Sequence, residues 1–364
     1  FFGETEPPAF NDILATTCGG IAIGEVPHRL SNAVLDDSRQ GFSRFLTEAV
    51  GFIIDPFKGF NRIISGEAWR VRSTRHTHHD WKRFPIDFTF TVGDRYLADD
   101  GAFFRGEHNA FLTFKLEYGD VLNEGENNKP YDFFDLEANF GLLGNQPFIN
   151  QVHLLGRIWS TPMYSYKGVQ AEFGVYQHFN YYDSNPVKNG TELTPYRISE
   201  AASFGPGFVV QMPQTGALKH LEQRVFLSAI LLGGTKSDYF NVIERDYNMG
   251  SGFSIKSKTQ IDFGKFGRLV LNAKYFRIYT WKGYENKDLQ AYADGTKDLH
   301  YLNVQGDRSN AALLVINPVI EMHLARQWSI TLSGAYFSRR TYYKYYDKVH
   351  AYTFETKLGL TCRL

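Results

Sequence analysis

Two groups of residues carry side chains that chemistry uses. Glu25 and His28 lie three apart, with Ser31, Ser38 and Ser43 downstream. A histidine beside a carboxylate is a general base, and a nearby hydroxyl would be its nucleophile. Pro27 interrupts the helix that would place the pair on one face, and no Gly-x-Ser-x-Gly run accompanies it. Glu25 and His28 are thus the only candidates for catalysis. The second group is His76, His78 and His79, followed by Asp80. Clustered imidazoles bind zinc or copper. In an extended chain His76 and His78 share a face while His79 points away, so these two are the metal candidates. The bland readings are a set of helix caps and a polar linker.

The elements that must position these groups change character near residues 65–83. Before that break the apolar period is helical. Phe10, Ile13, Leu14, Thr17 and Ile21 share one face, and Gly19, Gly20 and Gly24 would let another backbone approach. Pro27 suits the first turn of a second short helix with Leu30, Ala33, Val34 and Leu35. Asp36 or Asp37 would cap a third, whose apolar face is Phe42, Phe45, Leu46, Ala49, Val50 and Ile53. Pro56 ends it, and Phe57, Phe60, Ile63 and Ile64 follow. About 60 helical residues cannot bury such stripes alone, so they must pack on something. The polar set Arg29, Asp36, Asp37, Arg39, Arg44, Glu48 and Arg62 would hold that contact as a plug or interface.

After the break, apolar and polar residues alternate. Ala110, Leu112, Phe114, Leu116 and Tyr118 oppose Thr113, Lys115 and Glu117, and the last strand alternates Tyr352, Phe354, Leu358, Leu360, Cys362 and Leu364 with polar residues. This pattern, with 31 Phe and 22 Tyr in 364 residues, reads as a membrane barrel with aromatic girdles. Lys357, Gly359, Cys362 and Leu364 match the C-terminal signal that such barrels present to their insertion machinery. The fold expected is all-β: an antiparallel transmembrane β-barrel of about 12 strands with an N-terminal helical plug or periplasmic helical element. Its divisions are a helical element over 1–70, a linker over 71–83 and a barrel over 84–364. Short and long connections alternate as they should, except that 119–130 is long and 144–147 short. Pro318 implies a bulge or a local gap in the tenth strand's ladder.

Inward positions would carry Asp87, Lys115, Glu117, Asp135, Glu137, Arg157, Glu172, Glu222, Arg224, Lys256, Lys258, Lys274 and Glu321. Such mixed signs indicate ion pairs filling a barrel more than a ring selecting ions. Arg339, Arg340, Tyr342, Tyr343, Lys344, Tyr345 and Tyr346 read as an interfacial girdle. With 39 basic and 39 acidic residues the net charge is zero, which gives no case for nucleic acid. The two cysteines, Cys18 and Cys362, read as small buried hydrophobes, and no cofactor is implied. The opening at Phe1 is expected to be a processed or truncated start.

The stretch Gly19–Asn32 (GGIAIGEVPHRLSN), then Leu35-Asp36-Asp37-Ser38 with Gly41 and Arg44, resembles a family of Bacteroidetes outer-membrane proteins known as domain of unknown function 3943 (DUF3943). Asp55-Pro56 and the Gly59-x-Asn61-Arg62 run with Gly66 and Trp69 belong to the same likeness. The resemblance implies a bacterial outer-membrane location and no activity. Both termini are expected to be periplasmic. The function expected first is a non-enzymatic subunit of a larger outer-membrane assembly, docked through the helices and the 119–130 loop. A plugged or gated small-solute channel comes second, and a lipid-acting hydrolase or acyltransferase third. The partners expected are outer-membrane lipid and lipopolysaccharide, other outer-membrane or periplasmic proteins, and the insertion machinery.

Overall fold

Strict alternation of apolar and polar side chains builds a closed wall. The computed structural model describes residues 10–72, 79–122, 129–213, 219–239, 247–281, 283, 290–291, 294–296 and 307–364. His76 and His78 lie outside these residues. Twelve antiparallel strands follow three helices: β1 (Ile86–Asp99), β2 (Ala102–Tyr118), β3 (Phe134–Gly141), β4 (Ile149–Tyr166), β5 (Val169–Asp183), β6 (Arg197–Met212), β7 (His220–Lys236), β8 (Tyr247–Asp262), β9 (Gly267–Thr280), β10 (Ser309–His323), β11 (Trp328–Tyr343) and β12 (Val349–Arg363). Each strand pairs with its neighbours in sequence, and β1 closes against β12. Outward side chains from around the wall, among them Val92, Leu227, Ile255, Leu271, Leu332 and Leu358, are 43–56 % exposed. An apolar belt on a closed barrel is the surface that lipid covers.

The end carrying Ile86 and Arg363 is termed the terminal end, and the other the distal end. Terminal-end turns are mostly tight, as at 167–168 and 263–266, whereas distal connections include 184–196 and 281–308. The exceptions expected from the sequence are present. The 119–133 connection is long, and the 142–148 connection is short. Pro318 has no partner on β11, and the Asn317 side chain donates instead to Ser333 Oγ (3.0 Å) and the Gly334 carbonyl (3.1 Å).

The closing seam runs from Thr89↔Arg363 to Leu97↔Glu355 and brings Gly93 opposite Gly359. A Cβ on Gly93 would fall 2.0 Å from the Leu358 carbonyl oxygen and 2.5 Å from the Gly359 Cα. The seam therefore needs glycine there. β12 follows its expected parity. Lys357 points inward, the outward Leu358, Leu360 and Leu364 are exposed, and the Leu364 amide donates to the Phe88 carbonyl (2.9 Å).

The helices depart from expectation in four ways. α1 (Phe10–Val34) is one continuous helix with Pro27 inside it, not two. It does not plug the lumen. It crosses the outer face of the wall obliquely, with Cys18 and Leu14 packed against Ala202, Leu232 and Met249. Further along, Ala22, Val26 and Leu30 pack against Leu116, Tyr118, Tyr131 and Phe134. Burial of these side chains offsets the roughly 3 kcal/mol that an interior proline costs. Gly19, Gly20 and Gly24 meet no other backbone; a Cβ on any of them would face open space.

The third departure concerns caps. Gln40, without a side-chain bond, precedes α2 (Gly41–Ile54), while Asp36 instead accepts from the Ser38 amide and hydroxyl. Asp55 caps α3 (Pro56–Ile64) by accepting from the Lys58 amide (3.0 Å). The fourth is an inversion. In α2 and α3 the apolar face is exposed, and the charged face is buried between the helices.

We expect Gly93→Val to lower the folded, heat-modifiable fraction of the protein several-fold. Gly334→Ala, whose Cβ meets nothing within 4 Å, serves as the control and should assemble like wild type in the same electrophoretic assay.

Candidate functional site

Inward positions of eleven strands line one chamber of about 190 Å³. It is reached from the terminal end, where Asp87, Lys115 and Glu117 side chains are 39–50 % exposed. All thirteen charged residues assigned inward by alternation lie on the lumen side. Most are paired. Lys115 meets Glu137 (3.1 Å), Lys258 meets Asp135 (3.1 Å), Arg268 meets Glu321 (2.8 Å) and Lys357 meets Glu355 (2.8 Å). Arg224 joins Glu222, Glu117 and Asp135, and Arg157 meets Glu172 (3.4 Å).

Three residues of the 119–133 connection, Val121, Leu122 and Phe133, enter the lumen from the terminal end. Val121, Leu122 and Phe133 pack with Leu155, Tyr176, Val209 and Phe226. Arg157 pins this segment by donating to the carbonyls of Asp120 (3.2 Å) and Val121 (3.0 Å). These three side chains narrow one side of the barrel.

Deeper in the chamber Asn180 links several groups. It accepts from His153 Nδ1 (2.9 Å) and Lys274 Nζ (3.3 Å), and it donates to Glu200 Oε2 (2.6 Å). Lys256 donates to Glu200 (2.9 Å) and to Ser254 Oγ (2.7 Å), and Ser254 in turn donates to Glu200 (2.7 Å). A serine beside a lysine suggests a nucleophile. Here Lys256 donates to Ser254 and both donate to Glu200, so the three form a hydrogen-bond network around the carboxylate. Lys274 makes no ion pair among the described residues. His178, fully buried and lining the same chamber, has no hydrogen-bond partner on either ring nitrogen among them.

The distal end is closed. Tyr182, Phe276, Ile278, Leu313, Val315 and Phe337 project inward and meet Val187 and Tyr196 of the 184–196 loop. The Tyr196 ring stacks on Phe337 at 4.1 Å. Its hydroxyl accepts from Arg95 Nη2 (2.7 Å) and donates to Glu355 Oε2 (2.9 Å), while Arg95 Nε donates to the same oxygen (2.8 Å). Arg95 and Tyr196 are fully buried and Glu355 is 2 % exposed. The rest of the loop is tied to Asp99, which accepts from the Thr191 amide and hydroxyl, and to Glu107, which accepts from the Lys188 amide (2.9 Å). Arg339 donates to the Thr194 carbonyl (3.1 Å) and bidentately to Asp238 (2.7 and 2.9 Å).

That placement corrects the expected girdle. Arg339 is buried, and Tyr343 donates to Asp238 beside it, so both work inside the barrel. Tyr342 faces outward, and Arg340 lies over the Tyr352 ring (5.8 Å). Period-two parity from Phe337 through Thr341 carried this signal.

The other sequence candidates fall outside the lumen. His28 is half-exposed and 4.0 Å from Asp55, and burial, with help from Lys58, pulls its imidazole below the ordinary range. Glu25 turns to Arg29 (3.4 Å). Ser31 donates to the His28 carbonyl, Ser38 to Asp36, and Ser43 accepts from Arg39, so no serine meets the imidazole. The plug residues pair with one another rather than with lumenal charges. Arg44 and Arg62 share Asp37 and Glu48 at 2.7–3.2 Å, and Arg39 reaches Asp36 (3.6 Å). Arg29 alone docks on the barrel, at Asp132 (2.8 Å) and the Pro130 carbonyl (2.6 Å). His79 donates to the Phe84 carbonyl (2.8 Å), a structural bond. No metal-binding group of side chains occurs among the described residues.

A family model described as a domain of unknown function (DUF3943) matches residues 1–57. No curated protein matches the chain. Among solved structures, the NanC porin is 12 % identical over 77 % of this chain and 100 % of that one, with a TM-score of 0.35. OmpT of Vibrio cholerae is 7 % identical over 78 % and 98 %, TM-score 0.30. The CymD monoaromatic hydrocarbon channel is 7 % identical over 77 % and 88 %, TM-score 0.27.

Glu355→Gln keeps shape but leaves Arg95 as an uncompensated buried charge, a loss of about 3–5 kcal/mol. The folded band should therefore convert at a distinctly lower temperature in a heat-modifiability series. Lys115→Gln, which breaks a part-exposed pair, should cost about 0–1 kcal/mol and leave that temperature nearly unchanged.

Proposed function

We propose that this outer-membrane β-barrel is a gated channel for a small solute bearing a carboxylate. The observation that carries this reading is a polar chamber, open toward the terminal end, whose distal closure is completed, among the described residues, by the 184–196 loop. A barrel filled only by strand side chains would have to unfold to conduct. Here Val187 and Tyr196 enter from outside the wall, so opening requires the 184–196 segment to withdraw. The locking hydrogen bonds to charged groups contribute roughly 1.5–3 kcal/mol each, which favours a closed resting state.

Lys274 and His178 argue for the sign of the solute. Both lie in the chamber, one without a carboxylate partner and the other without any, and a carboxylate would satisfy both. A volume of about 190 Å³ excludes an oligosaccharide, since pockets for drug-sized molecules begin at roughly 300 Å³. The terminal end, with its tight turns, would face the periplasm, and the long distal loops the exterior.

The assembly-subunit reading rests on the exposed apolar faces of α2 and α3, which a neighbouring protein could cover. The lipid-enzyme reading lacks support from geometry: no serine meets His28, and Ser254 beside Lys256 is fully buried on the lumen side, away from lipid, with its hydroxyl donating to Glu200.

The test is solute flux into proteoliposomes. Wild type should swell slowly in small carboxylates. Val187→Ala/Tyr196→Ala should swell at least tenfold faster, and adding Lys274→Gln should lower the rate for carboxylates relative to neutral sugars of similar size. Equal and negligible flux in all three would overturn the channel reading.

A further inference from the structure

The α2–α3 element is built inside out. Its interior is an ionic knot of Arg44, Glu48, Asp37 and Arg62, all buried or nearly so. Arg44 further donates to the carbonyls of Ala68 (3.2 Å), Glu67 (2.9 Å) and Asp36 (3.1 Å), so the knot also closes the chain that leaves α3. A second polar contact ties α3 back to α1, where Lys58 donates to Ser31 Oγ (3.1 Å) and to Asn32. Burial pulls that ammonium down to about 8.

What faces outward is apolar. Phe42, Phe45 and Ile53 on α2 are 64–78 % exposed, and Phe57, Phe60 and Ile64 on α3 are 60–89 % exposed. On each helix these residues fall on one side, with the knot on the other. Contiguous apolar surface of this extent marks a site covered by a membrane or a partner.

Continuity decides the occupant. α1 lies on the barrel's outer wall, the face that lipid covers, and presents Ile13, Ile21 and Ile23 away from it, 40–74 % exposed. The uncharged run Ile13–Gly24 ends where Glu25 and Arg29 reach the terminal end at Asp132. α2 and α3 pack directly on the end of that helix: Leu35 lies within 3.0 Å of the position a Gly51 Cβ would take. Trp69 and Trp81, 71 % and 55 % exposed, follow α3 and precede β1. Exposed tryptophan beside a lipid-facing surface is the composition of a membrane–water boundary.

We propose that α2 and α3 form a monotopic anchor whose apolar faces insert into the phospholipid leaflet at the barrel's terminal end, with the ionic knot shielded beneath them. Such helices lie in the interface plane rather than crossing it, and no described helix is long and apolar enough to cross. The anchor gives the barrel a lipid-bound side arm, fixed to the wall by α1.

The experiment places single cysteines at Phe45, Ile53 and Phe57, each in the full chain with Cys18→Ala and Cys362→Ala, and Lys188→Cys as the water-exposed reference. Each variant is checked for heat-modifiable mobility and reconstituted in phospholipid nanodiscs, which leave both barrel ends open to solution. The expected result is at least tenfold slower reaction with a charged maleimide than at Lys188→Cys. A fluorophore at Phe57→Cys should also be quenched by lipids with brominated acyl chains. Reaction as fast as at Lys188→Cys, with no quenching, would overturn the anchor. If the same sites were protected only in native outer membranes, the occupant would be a protein, which also overturns it and leaves the channel reading intact.

Discussion

One buried contact joins the three things this molecule must do. Arg95 stands on the first strand, Glu355 on the last, and Tyr196 on the loop that enters the distal lumen. The guanidinium and carboxylate straddle the seam where the barrel closes, so their pairing favours closure in the one register that matches Leu97 to Glu355. Out of water such a pair has no second partner to exchange for, and its desolvation must be repaid by complete hydrogen bonding. Tyr196 bonds to both members of the pair, and Lys357 adds a second cation on the carboxylate. The loop is therefore held in the lumen by the same charges that close the wall.

From this contact outward the lumen divides by chemistry. On the distal side aromatic and aliphatic residues exclude water, and Tyr196 stacked on Phe337 belongs to that layer. On the terminal side paired charges line the chamber. Among the described residues Lys274 has no ion pair and His178 no hydrogen-bond partner on either ring nitrogen. Outside the wall the same solvent logic runs in reverse. Where water is absent, apolar residues turn outward and ions turn inward, which is how Arg44 and Arg62 come to be buried while Phe57 is not.

Much of the barrel was legible because a strand's face is fixed by parity. Leu112, Phe114 and Leu116 against Thr113, Lys115 and Glu117 could be sorted without coordinates, and so could all thirteen lumenal charges. Counting the alternating runs gives the strand number, and connection lengths agree with it over most of the barrel. The helical element was misread for a physical reason. Helical periodicity tells which residues share a face, but not which solvent that face meets. The apolar stripe of α2 therefore reads from the sequence only as a side that must pack on something. Pro27 reads as a break because its local cost is known, whereas the wall that compensates it comes from strands distant in the sequence. The Arg95–Tyr196–Glu355 contact was illegible for the same reason: parity puts Arg95 and Glu355 inside, but nothing local brings residue 196 to them.

The central claim is that the distal closure is a loop held by this contact and able to leave. Distance measurement between spin labels tests it most directly, with labels at Lys188→Cys on the loop and Phe104→Cys on the exposed tip of β2, in a background lacking Cys18 and Cys362. With Tyr196 present the account predicts one narrow distance distribution. With Tyr196→Ala it predicts a second, longer component as the loop swings out. A single distribution identical in both would contradict it, and would mean that the barrel is sealed by its strands alone.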